Sequence, residues 1–358
     1  MEKLQGYANV TKTPATTPRI LNLSNFPRSF FPSRSSHAPK PRKHKAPQIF
    51  ARRKSAARYP FPFPSAVSYG KLSFMKIGNY RLHALQLGSF GLDGGAMFGI
   101  VPKVLWQKEN PADDQNRIDM RTRCLLLIDE KNQRNILVDC GLGDKDDQKF
   151  QDRFKITAYA LESELAKYQL KCEQITDIIA THFHFDHMGG LTKFDAQGKL
   201  VSRFPNAKIW AQKRNWLHAW NPNEKDRASY LLPNFSIYEG ESKLILLDGE
   251  EEILPGIQVR VTEGHTIGMQ HPLIFDSSKS LIYCADIIPM SAHLKIAWVM
   301  GYDCFPLTTI QEKKTILKEC VDKETVVFFE HCPYMDGATV QWNGKDFAIK
   351  DKVFLGES

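Results

Sequence analysis

The sequence predicts an α/β fold, and three observations support that prediction. Short apolar runs recur between about residues 80 and 330 and indicate buried strands. Stretches with apolar positions at helical spacing separate some of these runs, which is typical of strands that alternate with helices. Side chains of the types that bind metals follow four of the predicted strands, and strand ends are where sites assemble in α/β sheets.

The first 75 residues account for the positive net charge of the chain, which is +8. They carry fourteen Lys or Arg residues and a single acid, Glu2, together with half of the prolines and no cysteine. The rest of the chain holds 34 basic and 39 acidic residues and is therefore mildly acidic. We do not expect nucleic acid to be a partner of this acidic part.

Residues 1–74 are predicted to be a disordered, basic extension, and residues 75–358 a globular domain. Three interpretations of the extension stay open. It is an acid-poor transit peptide, a basic arm that binds nucleic acid or anionic lipid, or an upstream segment before a true start at Met75. We favour the last, because the composition changes at that methionine.

Cysteine usage favours a reducing, cytoplasmic compartment. The seven cysteines are odd in number, form no CxxC pair and follow no secretory signal. No run of eighteen apolar residues occurs, so no membrane span is expected. Targeting to an organelle by residues 1–74 and assembly into a homodimer are left open.

A glycine-rich apolar stretch follows the first predicted strand, which covers residues 80–87. Five glycines fall within residues 88–99, which predicts a loop. The stretch is unusually apolar for a loop, with Phe90, Leu92 and Met97, and Trp106 lies just beyond it. It is either a buried crossing or a wall over a pocket.

The remaining elements are predicted from periodicity and turn residues. Strands are expected at 123–128, 135–138, 175–180, 208–211, 257–261, 280–286 and 325–331, and helices over 154–168, from about Arg214, and over 310–320. The polar stretch 221–242 is predicted to be a surface insertion. Asp139, at the end of the second of these strands, is either a turn residue or an acceptor that orients a ligand imidazole.

The most informative stretch, residues 181–190, leaves the strand predicted at 175–180. Three histidines and an aspartate fall within six residues: His182, His184, Asp186 and His187. On a turn they can face two ways and form two sets of nitrogen and oxygen ligands, which suits a borderline metal such as Zn²⁺. Gly189 and Gly190 would let the backbone pass close to the site and start a helix.

Three later strand ends also carry residues that could bind a metal: His265, Asp286 and His331. Each residue alone is more often structural. Their position after predicted strands, combined with the first cluster, favours the ligand interpretation.

These motifs and their order resemble those of metallo-β-lactamase-fold hydrolases over about residues 75–335. The resemblance implies a four-layer αβ/βα sandwich with metals at one edge. It implies that one Zn²⁺ is held by His182, His184 and His265, and a second by Asp186, His187 and His331. Asp286 would bridge the two ions, Asp139 matches the family's aspartate behind the ligands, and Mn or Fe are alternative metals.

Such a ligand set predicts hydrolysis. Five neutral imidazoles, two carboxylates and two divalent ions leave a net charge of +2, enough to hold a bridging hydroxide at neutral pH. The hydroxide would attack an electrophilic carbon or phosphorus, and Asp186 could carry the proton to the leaving group. The apolar stretch 88–106 resembles the wall found in acyl-homoserine lactonases and methyl-parathion-type hydrolases, so we expect an apolar ester or lactone substrate.

Departures from the family patterns narrow the reaction. Asp286 argues against β-lactam hydrolysis, where Cys or Ser is usual, and His184 argues against flavodiiron oxygen reductases. Both half-sites are complete, unlike those of persulfide dioxygenases. Many lactonases have a Tyr shortly after the bridging Asp, whereas Ile287 follows here, so Tyr283 or Tyr302 would have to replace it.

Other functions remain open at this point. A glyoxalase II-like thioesterase and a phosphotriesterase are alternatives within the hydrolases. A nucleic-acid-associated protein that acts through its basic N-terminal arm is an alternative of another class, and a non-catalytic fold is a third. His293 is interpreted as a packed histidine or as a pocket residue, and His83, His218 and His271 as structural.

Overall fold

The computed structural model describes residues 75–356. The predicted extension 1–74 lies outside them, and the domain boundary stays a prediction. The strands are β1 (Met75–Ile77), β2 (Tyr80–Asp93), β3 (Arg117–Asp129), β4 (Arg134–Val138), β5 (Asp177–Ile179), β6 (Thr192–Phe194), β7 (Leu200–Ser202), β8 (Lys208–Gln212), β9 (Leu244–Leu247), β10 (Glu251–Leu254), β11 (Ile257–Thr262), β12 (Met269–Phe275), β13 (Ser280–Tyr283), β14 (Val326–Phe328), β15 (Gly337–Trp342) and β16 (Phe347–Val353). The α-helices are α1 (Gly94–Phe98), α2 (Lys103–Trp106), α3 (Gln148–Phe154), α4 (Leu161–Ala166), α5 (Phe185–Met188), α6 (Lys213–Trp220) and α7 (Pro306–Asp322).

Two seven-stranded sheets form the centre of the fold. The first has the strand order β1-β2-β3-β4-β5-β8-β9, and the second runs from β10 to β16 in sequence order. Helices α4 and α6 pack on the first sheet and α7 on the second. This arrangement confirms the predicted α/β sandwich of two sheets with helices outside. Among residues 75–356, no helix combines the length and hydrophobicity that crossing a membrane requires.

Alternation along the strands divides the apolar side chains between two cores. On β3, Leu125 and Leu127 join a core that also contains Val259 and Ile274 of the second sheet. The side chain between them, Leu126, faces the opposite way and packs in the core beneath α4 and α6. Strand geometry explains this, because successive side chains point to opposite faces of a sheet. The first sheet is therefore apolar on both faces.

Parallel pairing brings the ends of several strands to one edge. In the first sheet β4 pairs in parallel with β5, and β5 with β8, while in the second sheet β13 pairs in parallel with β14. The carboxyl ends of parallel neighbours lie side by side, so the residues that follow them share an edge. Asp139, His182, Asp286 and His331 all come shortly after such ends.

The prediction of a loop over residues 88–99 is wrong. Strand β2 continues to Asp93 and α1 follows directly. The glycines are accommodated because β3 pairs with the whole stretch, for example Phe90 with Met120 and Gly91 with Asp119, after a register shift between Gln86 and Gly88. Long-range pairing outweighs the weak strand preference of glycine here.

The helix predicted over residues 154–168 is too long: α3 ends at Phe154, and within the predicted range α4 covers Leu161–Ala166 alone. Between them the backbone is extended, because the amide of Thr157 donates to the carbonyl of Ser89 and that of Ala160 to Leu87. Near the predicted ligands of the turn, the helix begins at Phe185, before the two glycines that were expected to start it. Strand β13 ends at Tyr283, so Asp286 lies in the following 3₁₀ turn.

Residues 221–242 are not simply the polar surface insertion that was predicted. Three short 3₁₀ turns bury Tyr230, Phe235 and Tyr238, and the carboxylate of Asp226 is buried as well. The aromatic rings pack in the core beneath α6, where Phe235 contacts Trp216. The prediction followed the polar composition of this stretch and did not recognise that its three aromatic side chains are buried.

Candidate metal centre

All seven predicted ligand residues converge at the edge shared by the two sheets. They form two buried groups whose ligand atoms lie within 4.8 Å of one another. One group contains His182, His184, His265 and Asp286, and the other contains Asp186, His187 and His331. Either group could hold a metal ion.

The first group is centred on His265. Its Nε2 lies 3.2 Å from Nδ1 of His184 and 3.1 Å from Oδ2 of Asp286. Nε2 of His182 lies 3.9 Å from the same carboxylate oxygen. These atoms surround a space of the size that a small cation with bonds of about 2 Å requires.

The second group shares the Asp286 carboxylate. Nε2 of His187 and Nε2 of His331 are 3.4 Å apart, and Oδ2 of Asp186 lies 3.8 Å from the latter. Oδ1 of Asp286 lies 3.4 Å from Nε2 of His331, and Oδ2 lies 3.5 Å from Nε2 of His187. Asp286 is thus placed between the two groups.

Local hydrogen bonds shape the turn that carries the first four residues. The Asp139 carboxylate accepts from the backbone N–H of Thr181, at 2.8 Å, and from its hydroxyl, at 2.7 Å. The amide of Phe183 donates to Oδ1 of Asn215 on α6, whose Nδ2 donates to the carbonyl of Ile267. Asn215 therefore connects the turn to the loop that carries His265, a role that its sequence context gave no reason to expect.

Gly189 and Gly190 permit the close approach that was predicted for them. A Cβ atom at position 189 would lie 1.9 Å from the carbonyl oxygen of Leu142, and one at position 190 would lie 2.2 Å from that of Cys140. The segment after Asp139 therefore packs directly on the ligand turn, and only glycine fits at these two positions.

Groups behind the imidazoles fix their orientation. Nδ1 of His187 lies 3.0 Å from Oδ2 of Asp139, as the sequence analysis anticipated, and also 3.0 Å from Oε2 of Glu330. Nδ1 of His265 lies 3.0 Å from Oδ1 of Asp303. Carboxylates in this position set the tautomer and raise the basicity of a ligand imidazole. Sequence analysis missed Asp303 and Glu330, because no spacing connects them to the histidines that they contact.

Burial and mutual charge set the protonation of the cluster. Burial, and then the imidazoles of His187 and His184, hold the pKa of His182 well below its usual value. Burial opposes ionisation of Asp286, but His187 and His265 outweigh it and hold the pKa of this carboxyl well below its usual range. Burial lowers the pKa of His331, whereas Glu330 and Asp286 raise it, and the result is about 9. A cation entering the second group must therefore displace a proton.

The chemistry of these residues fits a bound divalent metal. Nε2 of His182 is buried and has no hydrogen-bond partner in the part of the chain that the structure describes. An unpaired buried polar atom costs about 1–3 kcal/mol, and a bound cation would remove this cost. Imidazole nitrogens with carboxylate oxygens are a donor set that zinc accepts readily.

A pocket of about 140 Å³ adjoins both groups. Its apolar lining residues are Leu92, Met97, Met120, Phe154, Phe185 and Met300. Besides the candidate ligands, its polar lining residues are Lys225, Asp226, Ser229 and Tyr302. Of the two interpretations of the stretch 88–106, Leu92 and Met97 thus support a pocket wall. A groove of about 370 Å³ next to Arg260 and Cys320 is larger, but none of the predicted site residues lines it.

The other candidate residues have distinct surroundings. Tyr302 lines the pocket, whereas Tyr283 is buried and donates its hydroxyl to the carbonyl of Arg123 at 3.1 Å. His293 is a packed histidine, with its ring stacked on Phe98 and Nε2 lying 2.8 Å from the carbonyl oxygen of Met97. His83, His218 and His271 lie outside both groups. All seven cysteines are free, and six of them are buried.

Comparison with known proteins identifies the family to which this chain is similar. Residues 122–342 match the model of the metallo-β-lactamase superfamily. An N-acyl homoserine lactonase from Bacillus cereus is 28% identical over 232 residues, which are 60% of this chain and 83% of the relative. An acyl-coenzyme A thioesterase, MBLAC2 from Bos taurus, is 22% identical over 52% of this chain and 63% of its own length.

Solved structures show the same fold. A Staphylococcus aureus protein described as a "probable metal-dependent hydrolase" superposes with a TM-score of 0.71 and 31% identity, over 78% of this chain and 98% of that chain. The dizinc quorum-quenching lactonase AidC superposes with a TM-score of 0.66 and 23% identity, over 78% and 97% of the two chains. At 23% identity, the similarity to AidC shows the fold alone.

Proposed function

Because the chain belongs to the metallo-β-lactamase superfamily and is a metal-dependent hydrolase of that fold, we propose that it uses two zinc ions to hydrolyse an apolar lactone or ester. We assign one ion to His182, His184 and His265 and the other to Asp186, His187 and His331. Asp286 would contact both ions.

The position of Asp286 carries this proposal. Its two carboxylate oxygens lie within 3.1–3.9 Å of imidazole nitrogens from both groups. A carboxylate can bind two cations at once, and two-metal hydrolases commonly use one in this way. With a neutral side chain at this position the two groups would have no shared anion.

The protein's own groups supply positioning and proton transfer. When bound, the two ions would polarise the carbonyl of the substrate and lower the pKa of a water molecule. Asp186 lines the pocket and lies between the imidazoles of His187 and His331, at 3.9 and 3.8 Å. We assign it the transfer of a proton to the leaving oxygen, a general-acid role.

Tyr302 is the residue we assign to the oxygen of the substrate. Partial burial, and then the carboxylates of Asp186, Asp93 and Asp286, raise the pKa of its hydroxyl to about 12, although 37% of the residue is exposed. The hydroxyl therefore keeps its proton at neutral pH and can donate a hydrogen bond to a carbonyl oxygen as negative charge develops on it. In this proposal Tyr302 takes the role of the tyrosine that is absent directly after Asp286.

The apolar residues that line the pocket favour a substrate with an acyl or alkyl chain over one with a charged chain. Relatives named as N-acyl homoserine lactonases make a lactone the leading substrate class. A thioester is the second candidate, because the acyl-coenzyme A thioesterase from Bos taurus is also similar. The pocket holds only part of a long substrate, so the rest would lie along its mouth.

Metal content and substrate preference test the proposal together. Protein expressed from Met75 would be analysed for zinc per chain, and its turnover measured with a long-chain acyl lactone, an aryl ester, an acyl thioester and a phosphotriester. Two metals per chain with lactone or ester turnover are expected. One metal per chain would contradict the dinuclear assignment, and turnover of the thioester alone would favour the second candidate.

A further inference from the structure

Lys225 stands out among the described residues that line the pocket because it carries a positive charge that the proposed reaction does not use. We propose that Lys225 determines specificity by donating a hydrogen bond to a second oxygen acceptor of the substrate, separate from the carbonyl that reacts. The preferred substrate is then a lactone or ester whose acyl part carries a carbonyl or carboxylate group. This inference rests on the proposed function and adds a requirement to it.

The position of Lys225 at the rim is held by a backbone contact. Its ammonium group donates to the carbonyl of Gly301, the residue before Tyr302. Among the described residues that line the pocket, Lys225 is the one lysine or arginine. The contact with Gly301 uses one of the three N–H donors of an ammonium group, and two are left for a ligand.

Lys225 forms no ion pair with a described carboxylate, although Asp186, Asp226 and Asp286 line the same pocket. Within residues 75–356, no carboxylate oxygen lies within 4.0 Å of its ammonium group, in contrast to the lysines at positions 155, 167 and 295. The neighbouring acid, Asp226, is buried, with 4% of its surface exposed. Its Oδ2 accepts from Nε2 of His218 at 2.8 Å and from the hydroxyl of Thr266 at 3.0 Å.

The lining of the pocket suits both parts of such a substrate. Apolar residues such as Met97 and Phe185 accommodate methylene groups, and Lys225 and Tyr302 add an ammonium group and a hydroxyl to the same pocket. An ammonium group next to an apolar surface binds an oxygen acceptor more strongly than one in bulk water. An amide carbonyl and a carboxylate share this chemistry, with the charged group bound more strongly.

Three esters of matched length distinguish the acceptors. They are para-nitrophenyl hexanoate, mono-para-nitrophenyl adipate, which ends in a carboxylate, and a para-nitrophenyl ester with an amide carbonyl at the corresponding position. Each would be assayed with zinc-loaded wild type, Lys225→Met and Lys225→Arg. Lys208→Met is the matched control, since Lys208 is exposed and lies outside the pocket lining.

The measured quantity is the ratio of kcat/KM between each polar ester and the hexanoate. Wild type is expected to favour the adipate by about 3- to 10-fold, a preference that weakens at high salt because the contact is partly exposed. Lys225→Met should lose most of this preference for the adipate. Lys225→Arg and Lys208→Met should retain it. A preference for the amide ester alone would identify a neutral carbonyl as the acceptor and would also support the proposal.

Two results overturn the inference in different ways. If wild type hydrolyses the esters and the ratio is the same in Lys225→Met, the proposed function stands and the role of Lys225 is wrong. If zinc-loaded wild type hydrolyses none of the three esters and no lactone, the proposed function is wrong, and the inference about Lys225 is wrong with it. Thermal unfolding of each variant checks that the exposed substitution leaves the fold intact.

Discussion

The two sheets contribute to the candidate metal centre in different ways. After β5, the first sheet supplies four ligand-type residues from one turn, which spans His182 to His187. The second sheet supplies three single residues, His265, Asp286 and His331, each from a different strand end. The first contribution is local in sequence, whereas the second exists only when three strands are in register.

Each ligand group nevertheless combines residues from both sheets. His265 and Asp286 complete the group that contains His182 and His184, and His331 completes the other. Gln270 on β12 adds a metal-independent connection, since its side chain donates to the carbonyl of Ala180 at 2.7 Å. A bound ion would therefore hold the two sheets together as well as act in catalysis.

The largest expected effect on hydrolysis and zinc content comes from removing one ligand that the first sheet supplies or one that the second sheet supplies. His184→Ala and His331→Ala each take a donor from a different group, so both should reduce hydrolysis to background and lower the zinc content by about one ion per chain. His83→Gln, a buried histidine outside both groups, is the control and should retain both ions. Hydrolysis that survives His184→Ala would disprove the proposed metal mechanism.

The two tyrosines that were candidates for contacting the substrate oxygen, Tyr302 in the pocket and Tyr283 outside it, give a second contrast. Tyr302→Phe should lower kcat by about 100-fold, because it removes the donor proposed for the substrate oxygen. Zinc content should not change. Tyr283→Phe removes a hydroxyl that donates to the carbonyl of Arg123 and should leave kcat within about 3-fold of wild type, with a modest loss of stability. Equal effects of the two substitutions on kcat would rule out the role assigned to Tyr302.

Substituting the carboxylates that contact the Nδ1 atoms of the imidazoles should affect the two ligand groups differently. Asp139→Asn acts on His187, and Asp303→Asn acts on His265, which belongs to the other group. Each should weaken zinc binding by about 10- to 100-fold at its own group. A smaller loss at the other group is expected for Asp139→Asn, because Asp139 also accepts from Thr181 on the turn that carries His182 and His184. Competitive zinc titration with a chelator, together with the absorption spectrum of the cobalt-substituted protein, resolves the two sites. A larger loss at the same site in both variants would contradict the grouping.

Buried neutral histidines outside the metal centre predict a smaller effect on stability at low pH. Burial lowers the pKa of His271 from 6.5 to about 4. As the pH falls below 6.5, the unfolded chain binds a proton that the folded protein does not, so stability is lost over that range and is retained above it. The loss should be about 2 kcal/mol between about pH 6.5 and pH 5.

Denaturant unfolding at the two pH values measures this loss. His271→Gln should reduce the difference between them, although it also removes the contact between His271 and the hydroxyl of Thr262. His293, whose pKa is lowered by burial and then by Lys313 to about 3, contributes in the same direction and remains in the variant. An unchanged pH dependence in His271→Gln would show that this histidine is not neutral when folded.

The sequence by itself determined the features that depend on neighbouring residues. The ligand turn, the strand ends before Asp139 and His331, and the alternation along β3 can each be recognised within about ten residues. Local hydrophobic periodicity and ligand spacing are sufficient for such features. The family resemblance adds the expected order of the distant ligands.

Tertiary structure decided the features that depend on distant partners. Pairing with β3 keeps the glycine-rich stretch in a strand, three aromatic rings bury the polar segment 221–242, and folding brings Asp303 to His265. Each contact joins residues that are far apart in the chain, and its free energy comes from packing and pairing in the folded state. Local propensity, which reflects only adjacent backbone and side-chain preferences, carries no information about such partners.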